Sequence, residues 1–170
     1  LVVDGYRGKV LSNLTNEKKQ HYRDIIAEER ALVQGLDNLI PKPCTTLDGV
    51  THQLLVNTGL MTDVVRALDR GAEGVGLYRT EIPFMMRDRF PSEFEQTEIY
   101  RQQLKIFHPR DVVMRTLDIG GDKALSYFPI NEQNPFLGWR GIRVTLDHPE
   151  IFMVQLRAML RASEGLNNLK

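Results

Sequence analysis

The sequence predicts an α/β fold: about the first three βα units of a partial (β/α)8 barrel, preceded by a short β segment and a long linker helix. Three observations predict it. Short apolar runs alternate with helical segments after Pro43, a rhythm typical of parallel strands joined by helices. A continuous helical pattern precedes Pro41. A closed barrel needs eight strands and about 250 residues, so a chain of 170 residues supplies only part of one.

The first 40 residues predict two elements that lie outside the barrel. Residues 1–15 form a short β segment, because Val2-Val3 and Val10-Leu11 flank the turn residues Gly5 and Gly8. Residues 16–40 form the linker helix, which Thr15 or Asn16 can cap and whose apolar residues recur at helical spacing. The two prolines then break the chain, so we place a domain boundary there and assign residues 41–170 to the barrel.

The barrel region predicts strands and helices in alternation. Residues 52–57 read as a short buried strand, and a helix closed by Gly71 follows it. Ser92 can cap a later helix whose first turn carries Glu93 and Glu95. The predicted strands are 52–57, 74–78 and 111–115, and the predicted helices are 60–70, 93–107 and 149–163.

The composition excludes several classes of protein. Lys and Arg total 22 and so do Asp and Glu, so the chain lacks the basic stripe of a nucleic-acid binder. Cys44 is the only cysteine, which forbids an internal disulfide and favours a reducing, cytoplasmic setting. No apolar run is long enough to predict a membrane span. The chain lacks an initiating Met and ends at NNLK, so we expect a segment of a larger protein.

Two arginines occupy equivalent places in this pattern. Arg79 and Arg115 each lie at the carboxyl end of a predicted strand, and each is followed by Thr. That end of parallel strands is where ligands bind, and the planar guanidinium fork matches carboxylate or phosphate oxygens. The sequence therefore predicts a small anion site. An alternative is that each Arg only pairs with a nearby carboxylate, Glu81 or Asp118.

A second tier of candidates surrounds these arginines. Arg140 and Arg143 are three residues apart, so on a helix they would share a face, and we expect them to orient loops around the site. Asp118, Asp122 and Lys123 flank Gly120-Gly121, where the backbone could approach a ligand or simply turn tightly. Glu81 fits an ion-pair partner of a nearby Arg better than a metal ligand.

Three motifs carry a resemblance to a known family. They are GAEGVGLYRTEIPFM at 71–85, VVMRTLDIGGDK at 112–123 and NPFLGWRGIR at 134–143. Together they resemble the phosphoenolpyruvate-protein phosphotransferases, the enzyme I family of the bacterial phosphotransferase system, over most of residues 45–170. The resemblance implies a TIM-type (β/α)8 barrel in which Arg79 and Arg115 bind phosphoenolpyruvate. It also implies that residues 1–15 end a phosphohistidine domain.

The resemblance further implies the reaction and its participants. The phosphoryl group of phosphoenolpyruvate would pass to a protein histidine with the help of Mg²⁺, and then to a phosphocarrier protein of the HPr type. The acceptor histidine, metal-binding carboxylates and proton-donating cysteine would all lie outside this chain. We therefore expect the chain by itself to be inactive. We also expect it to self-associate or to form a homodimer.

Several alternatives stay open at this point. The wording of residues 138–163 is closest to the nitrogen-related branch of the family, as opposed to sugar transport. Pyruvate phosphate dikinase and phosphoenolpyruvate synthase share the barrel and its arginines, although the DIGGDK loop favours enzyme I. A non-catalytic regulatory scaffold would instead keep Arg79 and Arg115 as structural ion pairs.

Overall fold

The computed structural model describes residues 1–121 and 123–170. Asp122, one of the candidates beside the Gly-rich turn, lies outside the described residues. Contacts divide the chain into two compact units, Leu1–Lys42 and Pro43–Lys170. The division falls in the segment that contains Pro41 and Pro43. The assignment of residues 1–15 to the end of a phosphohistidine domain, and of residues 16–40 to a linker, stays a prediction.

The first unit consists of a hairpin and a long helix. Strand β1 (Val2–Asp4) pairs antiparallel with strand β2 (Lys9–Leu11). Helix α1 (Asn16–Asp37) begins after Thr15, whose side-chain oxygen accepts a hydrogen bond from the Lys18 amide at 3.4 Å. That bond satisfies one of the free amides of the first turn. The helix ends three residues before the predicted limit at residue 40.

The second unit opens with a small antiparallel pair, which corrects one predicted strand. Strand β3 (Cys44–Thr45) pairs with strand β4 (Thr51–His52), and strand β5 covers only Leu55–Thr58. The bounds predicted for a single strand over 52–57 are therefore wrong: residues 55–57 lie in β5, and His52 belongs to β4. Gly49, at φ +86°, turns the chain back so that His52 pairs with Cys44. The predicted burial is also wrong, because β5 is an edge strand whose Leu55 is 43% exposed.

The core of the second unit is a parallel sheet, as the alternating pattern predicts. Its order is β5-β6-β7, and both pairings are parallel. Helices lie between and after the strands. The elements after β5 are α2 (Met61–Asp69), β6 (Gly74–Arg79), α3 (Glu81–Met85), α4 (Glu93–Phe107), β7 (Val112–Arg115), α5 (Ile142–Asp147) and α6 (Pro149–Ser163).

Two features of this unit were not predicted. Helices α3 and α5 are short, and each follows directly on a segment that bears candidate site residues. The C-terminal residues also begin a parallel pairing with β7: Leu169 bridges Val112, and the Lys170 amide donates to the Val112 carbonyl at 2.9 Å. This pairing covers the side of β7 that faces away from β6.

Two apolar clusters hold the unit together. The larger lies between the sheet and helices α2, α4 and α6, with Val75, Tyr78 and Tyr100 fully or almost fully buried. The smaller lies beneath the loop that follows β7 and includes Leu117 and Ile119. Burial of large apolar side chains on this scale is the main source of folding free energy. The second cluster therefore fixes the loop from which several candidate residues project.

Candidate functional site

Arg79 and Arg115 end adjacent strands in matching register. Arg79 is the last residue of β6 and Arg115 the last of β7, and the two are direct partners in the parallel pairing. In register on parallel strands, both side chains leave the same edge of the sheet. Arg79 is exposed, and its side chain makes no hydrogen bond or ion pair with the residues that the structure describes. Its guanidinium group is therefore available to a ligand.

Arg115 is held by two carboxylates. One of its terminal nitrogens lies 2.6 Å from Glu81 Oε1, and the other lies 3.3 Å from Asp118 Oδ2. The alternative that each arginine pairs with a nearby carboxylate therefore holds for Arg115, which contacts both Glu81 and Asp118. It does not hold for Arg79. These contacts fix the direction of the fork, while its buried Nε makes no hydrogen bond within the described chain.

Glu81 is the buried anchor of the site. It lies in the first turn of α3, its side chain is fully buried, and its Oε1 also receives a 2.6 Å hydrogen bond from Lys123 Nζ. Its second oxygen, Oε2, is buried without a hydrogen-bond partner among the described residues. Its role as an ion-pair partner of a nearby Arg is confirmed.

Asp118 connects three cations. Its oxygens lie 3.1 Å from Lys123 Nζ, 3.1 Å from Arg140 and 3.3 Å from Arg115. Burial by itself raises the pKa of this carboxyl, but the hydrogen bonds from Lys123 and Arg140 outweigh burial and hold the pKa below its ordinary value. Asp118 is therefore ionised at neutral pH and orders the cations around it.

We use the term cationic site for Arg79, Arg115, Lys123 and Arg140 together with Glu81 and Asp118. The cations outnumber the carboxylates, so the site has excess positive charge within a chain of zero net charge. Partly buried positive charges attract an anion more strongly than exposed ones, because the local dielectric is lower than that of water. The arrangement fits a small, multiply charged anion.

The two glycines of the turn serve the approach of Arg140. Gly120 has φ +110°, and a Cβ added there would lie 2.7 Å from Arg140 Cβ. A Cβ on Gly121 would lie 3.2 Å from a terminal nitrogen of the same side chain. Of the two interpretations of this turn, close approach by a neighbour is therefore observed, and the neighbour is an arginine of the protein.

Arg140 and Arg143 do not share a helix face, so that prediction is wrong. Arg140 precedes Gly141, which has φ +55° and lies at the start of α5, whereas Arg143 is inside the helix. Arg143 donates to the carbonyls of Leu137 and Gly138, the latter at 2.6 Å. It orients the preceding loop, and Arg140 alone reaches the carboxylates of the cationic site.

Sequence reasoning missed one contact that joins the two strand ends. Thr80, fully buried, donates from Oγ1 to the Arg115 carbonyl at 2.7 Å. The only signal in the sequence is that Thr follows both arginines, and this repetition does not indicate which hydroxyl crosses between the strands.

No metal site is formed by the described residues. They contain no group of three or more His, Cys, Asp or Glu side chains placed to hold a metal ion. Glu81 and Asp118 both accept from Lys123, so their charge is already neutralised by cations. With two carboxylates that both accept from the same lysine, the described residues do not assemble a metal site of their own. Among the described residues, no helix has the length and apolar character needed to cross a membrane.

Comparison with known proteins defines the class to which this fold and site belong. Residues 33–170 match the family model described as PEP-utilising enzyme, PEP-binding domain, where PEP is phosphoenolpyruvate. The match covers most of the chain, so the chain belongs to this family of PEP-utilising enzymes.

Curated relatives narrow the class. The chain is 46% identical over 169 residues to "Phosphoenolpyruvate-dependent phosphotransferase system" of Escherichia coli K12 and 47% identical to its namesake in Salmonella typhimurium, with 99% of the chain and 23% of each relative covered. It is 46% identical over 164 residues to "Phosphoenolpyruvate-protein phosphotransferase" of Staphylococcus carnosus, with 96% of the chain and 29% of the relative covered. The resemblance to the enzyme I family is confirmed. The chain spans about a quarter of the length of these relatives.

Proposed function

We propose that the chain is the substrate-binding segment of a phosphoenolpyruvate-protein phosphotransferase, which transfers the phosphoryl group of PEP to a protein histidine for relay to an HPr-type phosphocarrier. The observation that carries this proposal is the matched pair Arg79 and Arg115 at the carboxyl ends of adjacent parallel strands. Family membership supports it, and the curated relatives favour a phosphotransferase over a dikinase or synthase.

The charges of the site suit the charges of the substrate. PEP carries a phosphate and a carboxylate, and a guanidinium fork can bind either with two parallel hydrogen bonds. Arg79, which has no partner among the described residues, would take the phosphate, while the oriented Arg115 would hold the other end. Lys123 and Arg140 add positive charge from the loop after β7.

The proposed chemistry needs electrostatics more than covalent participation by this chain. The bond between phosphorus and the enol oxygen breaks, a bond from phosphorus to a histidine nitrogen forms, and the resulting enolate takes up a proton to give pyruvate. Negative charge spreads over the phosphoryl oxygens during transfer, so correctly placed cations stabilise the transition state. The acceptor histidine, the proton donor and the ligands of Mg²⁺ would come from outside this chain. Mg²⁺ would help to neutralise the substrate oxygens.

The finer proposals concern the setting of the reaction. We place the protein in the cytoplasm, the reducing setting that its single cysteine favours. We place it in the nitrogen-related branch on the wording of residues 138–163. We also propose that the three described βα units belong to a closed (β/α)8 barrel and that the complete protein is a homodimer. The parallel order β5-β6-β7 supports the barrel.

Binding of PEP to the complete protein tests the proposal. In calorimetric titrations with Mg²⁺ present, we expect saturable binding that Arg79→Ala weakens by roughly 100- to 1,000-fold, the equivalent of about 3–4 kcal/mol. Arg161→Ala is the matched control, because it removes an exposed arginine from α6, away from the site.

The scaffold alternative predicts a different result. If PEP binds equally well to the wild-type protein, Arg79→Ala and Arg115→Ala, the arginines serve structure alone and the proposed function is wrong.

A further inference from the structure

A series of hydrogen bonds between buried polar side chains connects helices α4 and α6 to the loop after β7. Gln155 of α6 is 0% exposed, and its Oε1 accepts from the Leu117 amide at 2.7 Å. Its Nε2 donates to the Tyr100 hydroxyl of α4 at 3.1 Å, and that hydroxyl donates to Gln96 Oε1 at 3.0 Å. Gln96 Nε2 then donates to the Pro91 carbonyl at 2.9 Å. All three side chains of this series are buried.

The backbone groups at the two ends of this series, the Leu117 amide and the Pro91 carbonyl, fix the direction of every hydrogen bond in it. The Leu117 amide can only donate, so Gln155 must present its oxygen to the loop and its NH₂ to Tyr100. The Pro91 carbonyl can only accept, so Gln96 must present its NH₂ there and its oxygen to Tyr100. The Tyr100 hydroxyl accepts on one side and donates on the other. Only one orientation of each glutamine amide allows all four hydrogen bonds of the series to form.

The backbone from the end of β7 into the loop is hydrogen-bonded at every second residue, 115, 117 and 119. The Arg115 carbonyl accepts from Thr80 at 2.7 Å, the Leu117 amide donates to Gln155, and the Ile119 carbonyl accepts from the Gly141 amide at 2.9 Å. The side chains of Leu117 and Ile119 point into the smaller apolar cluster. Asp118 lies between these two anchors and accepts hydrogen bonds from Lys123 and Arg140.

We propose that Gln155 is a positioning residue for the cationic site. Its side-chain hydrogen bonds go to Leu117 and Tyr100 and not to a charged group of the site, but by holding the Leu117 amide it sets where Asp118 points. Because Asp118 orders Lys123, Arg140 and Arg115, a shift of the loop displaces the cations together. The effect on ligand binding rests on the proposed function, since it is expressed as affinity for PEP.

The test compares Gln155→Met with a substitution of a second buried amide of the same unit, Asn168 in the C-terminal segment. Methionine has nearly the same length and shape as glutamine, but it cannot accept strongly from Leu117. Asn168→Leu is the control: Asn168 is 2% exposed and donates to the carbonyls of Leu104 at 3.0 Å and Arg110 at 2.9 Å, before the start of β7 and away from the site. In the complete protein we expect Gln155→Met to weaken PEP binding by about tenfold or more. Hydrogen exchange of the Leu117 amide should also become faster.

The control separates positioning from a general loss of stability. We expect both Asn168→Leu and Gln155→Met to lower the urea midpoint of unfolding, but Asn168→Leu should keep wild-type affinity for PEP and slow exchange at Leu117. Gln155→Glu keeps an oxygen for the Leu117 amide, so it should restore slow exchange at that amide.

Tyr100→Phe is a milder variant for the case in which Gln155→Met does not fold. It removes the hydroxyl that accepts from Gln155 Nε2 and so weakens the hold on the Gln155 amide without removing its oxygen from Leu117, and we expect intermediate affinity and intermediate exchange. Wild-type affinity in Gln155→Met or, where that variant does not fold, in Tyr100→Phe, together with loss of binding in Arg115→Ala, would overturn this inference and leave the proposed function intact. An absence of PEP binding to the wild-type protein would overturn both.

Discussion

Arg79 and Arg115 carry the same charge at matching positions, but their surroundings differ. Glu81 and Asp118 hold Arg115 in one direction, whereas Arg79 has no partner in the described part of the chain. A side chain that is already ordered loses little entropy when a ligand binds, and a free one adapts to the ligand at a larger entropic cost. The site therefore combines one fixed guanidinium group with one that can adjust to its ligand.

Asp118 makes the free energy of unfolding depend on pH. The pKa of this carboxyl is lower in the folded protein than its ordinary value, because the hydrogen bonds from Lys123 and Arg140 outweigh burial. Such a group stabilises the fold fully above its unfolded pKa, about 3.9, and that contribution is lost as pH falls through the folded value. We expect Asp118→Asn to lower the free energy of unfolding by about 1–3 kcal/mol at neutral pH. The difference from wild type should shrink below about pH 4.

Urea unfolding at a series of pH values measures this difference. Asp69→Asn is the control, because it removes an exposed carboxylate that makes no ion pair with the described residues. A difference between wild type and Asp118→Asn that stayed constant from neutral to acid pH would contradict the assignment of Asp118 as the carboxylate that orders the cations.

At the scale of elements, the Gly-rich turn limits how the loop after β7 packs on Arg140. Gly120→Ala adds a Cβ 2.7 Å from Arg140 Cβ, whereas Gly165→Ala adds one with no atom within 4 Å, and both glycines have positive φ. The control thus isolates the backbone cost, about 1–2 kcal/mol. We expect Gly120→Ala to cost about 1–3 kcal/mol more, as overpacking does. Urea unfolding of the two variants checks this, and equal costs would show that the contact with Arg140 adds nothing.

Elements with strong local signals could be predicted from the sequence. Helix α4 begins where Ser92 predicts, and the Ser92 and Glu95 side chains form a reciprocal capping box. Short elements could not be predicted: α3 and α5 cover five and six residues, too few to establish a helical period. The pairing of His52 with Cys44 depends on a turn that returns the chain, and a run of apolar letters does not contain that information.

Some site residues could likewise be predicted from the sequence, and others could not. Arg79 and Arg115 could be found because charged residues at strand ends interrupt an apolar pattern at equivalent places. Gln155 could not, because a single polar residue in a helix gives no indication of which buried amide it will meet. Arg140 and Arg143 show the converse case, since their spacing predicts a shared face but Gly141 ends the possibility of one helix. Contacts that depend on tertiary packing lie beyond what local spacing can specify.

At the scale of the whole molecule, the exposed edge of the sheet predicts self-association of the chain when it is produced alone. Within the described residues no strand pairs with the outer side of β5, and Leu55 on that strand is 43% exposed. Open edges beside apolar side chains template pairing with another chain, and a lysine on the edge opposes it. We expect sedimentation equilibrium to give an average mass that rises with concentration for the chain and for Leu160→Lys, a control on α6. Leu55→Lys should move the distribution towards monomer, and a compact wild-type monomer at high concentration would contradict the role of this edge.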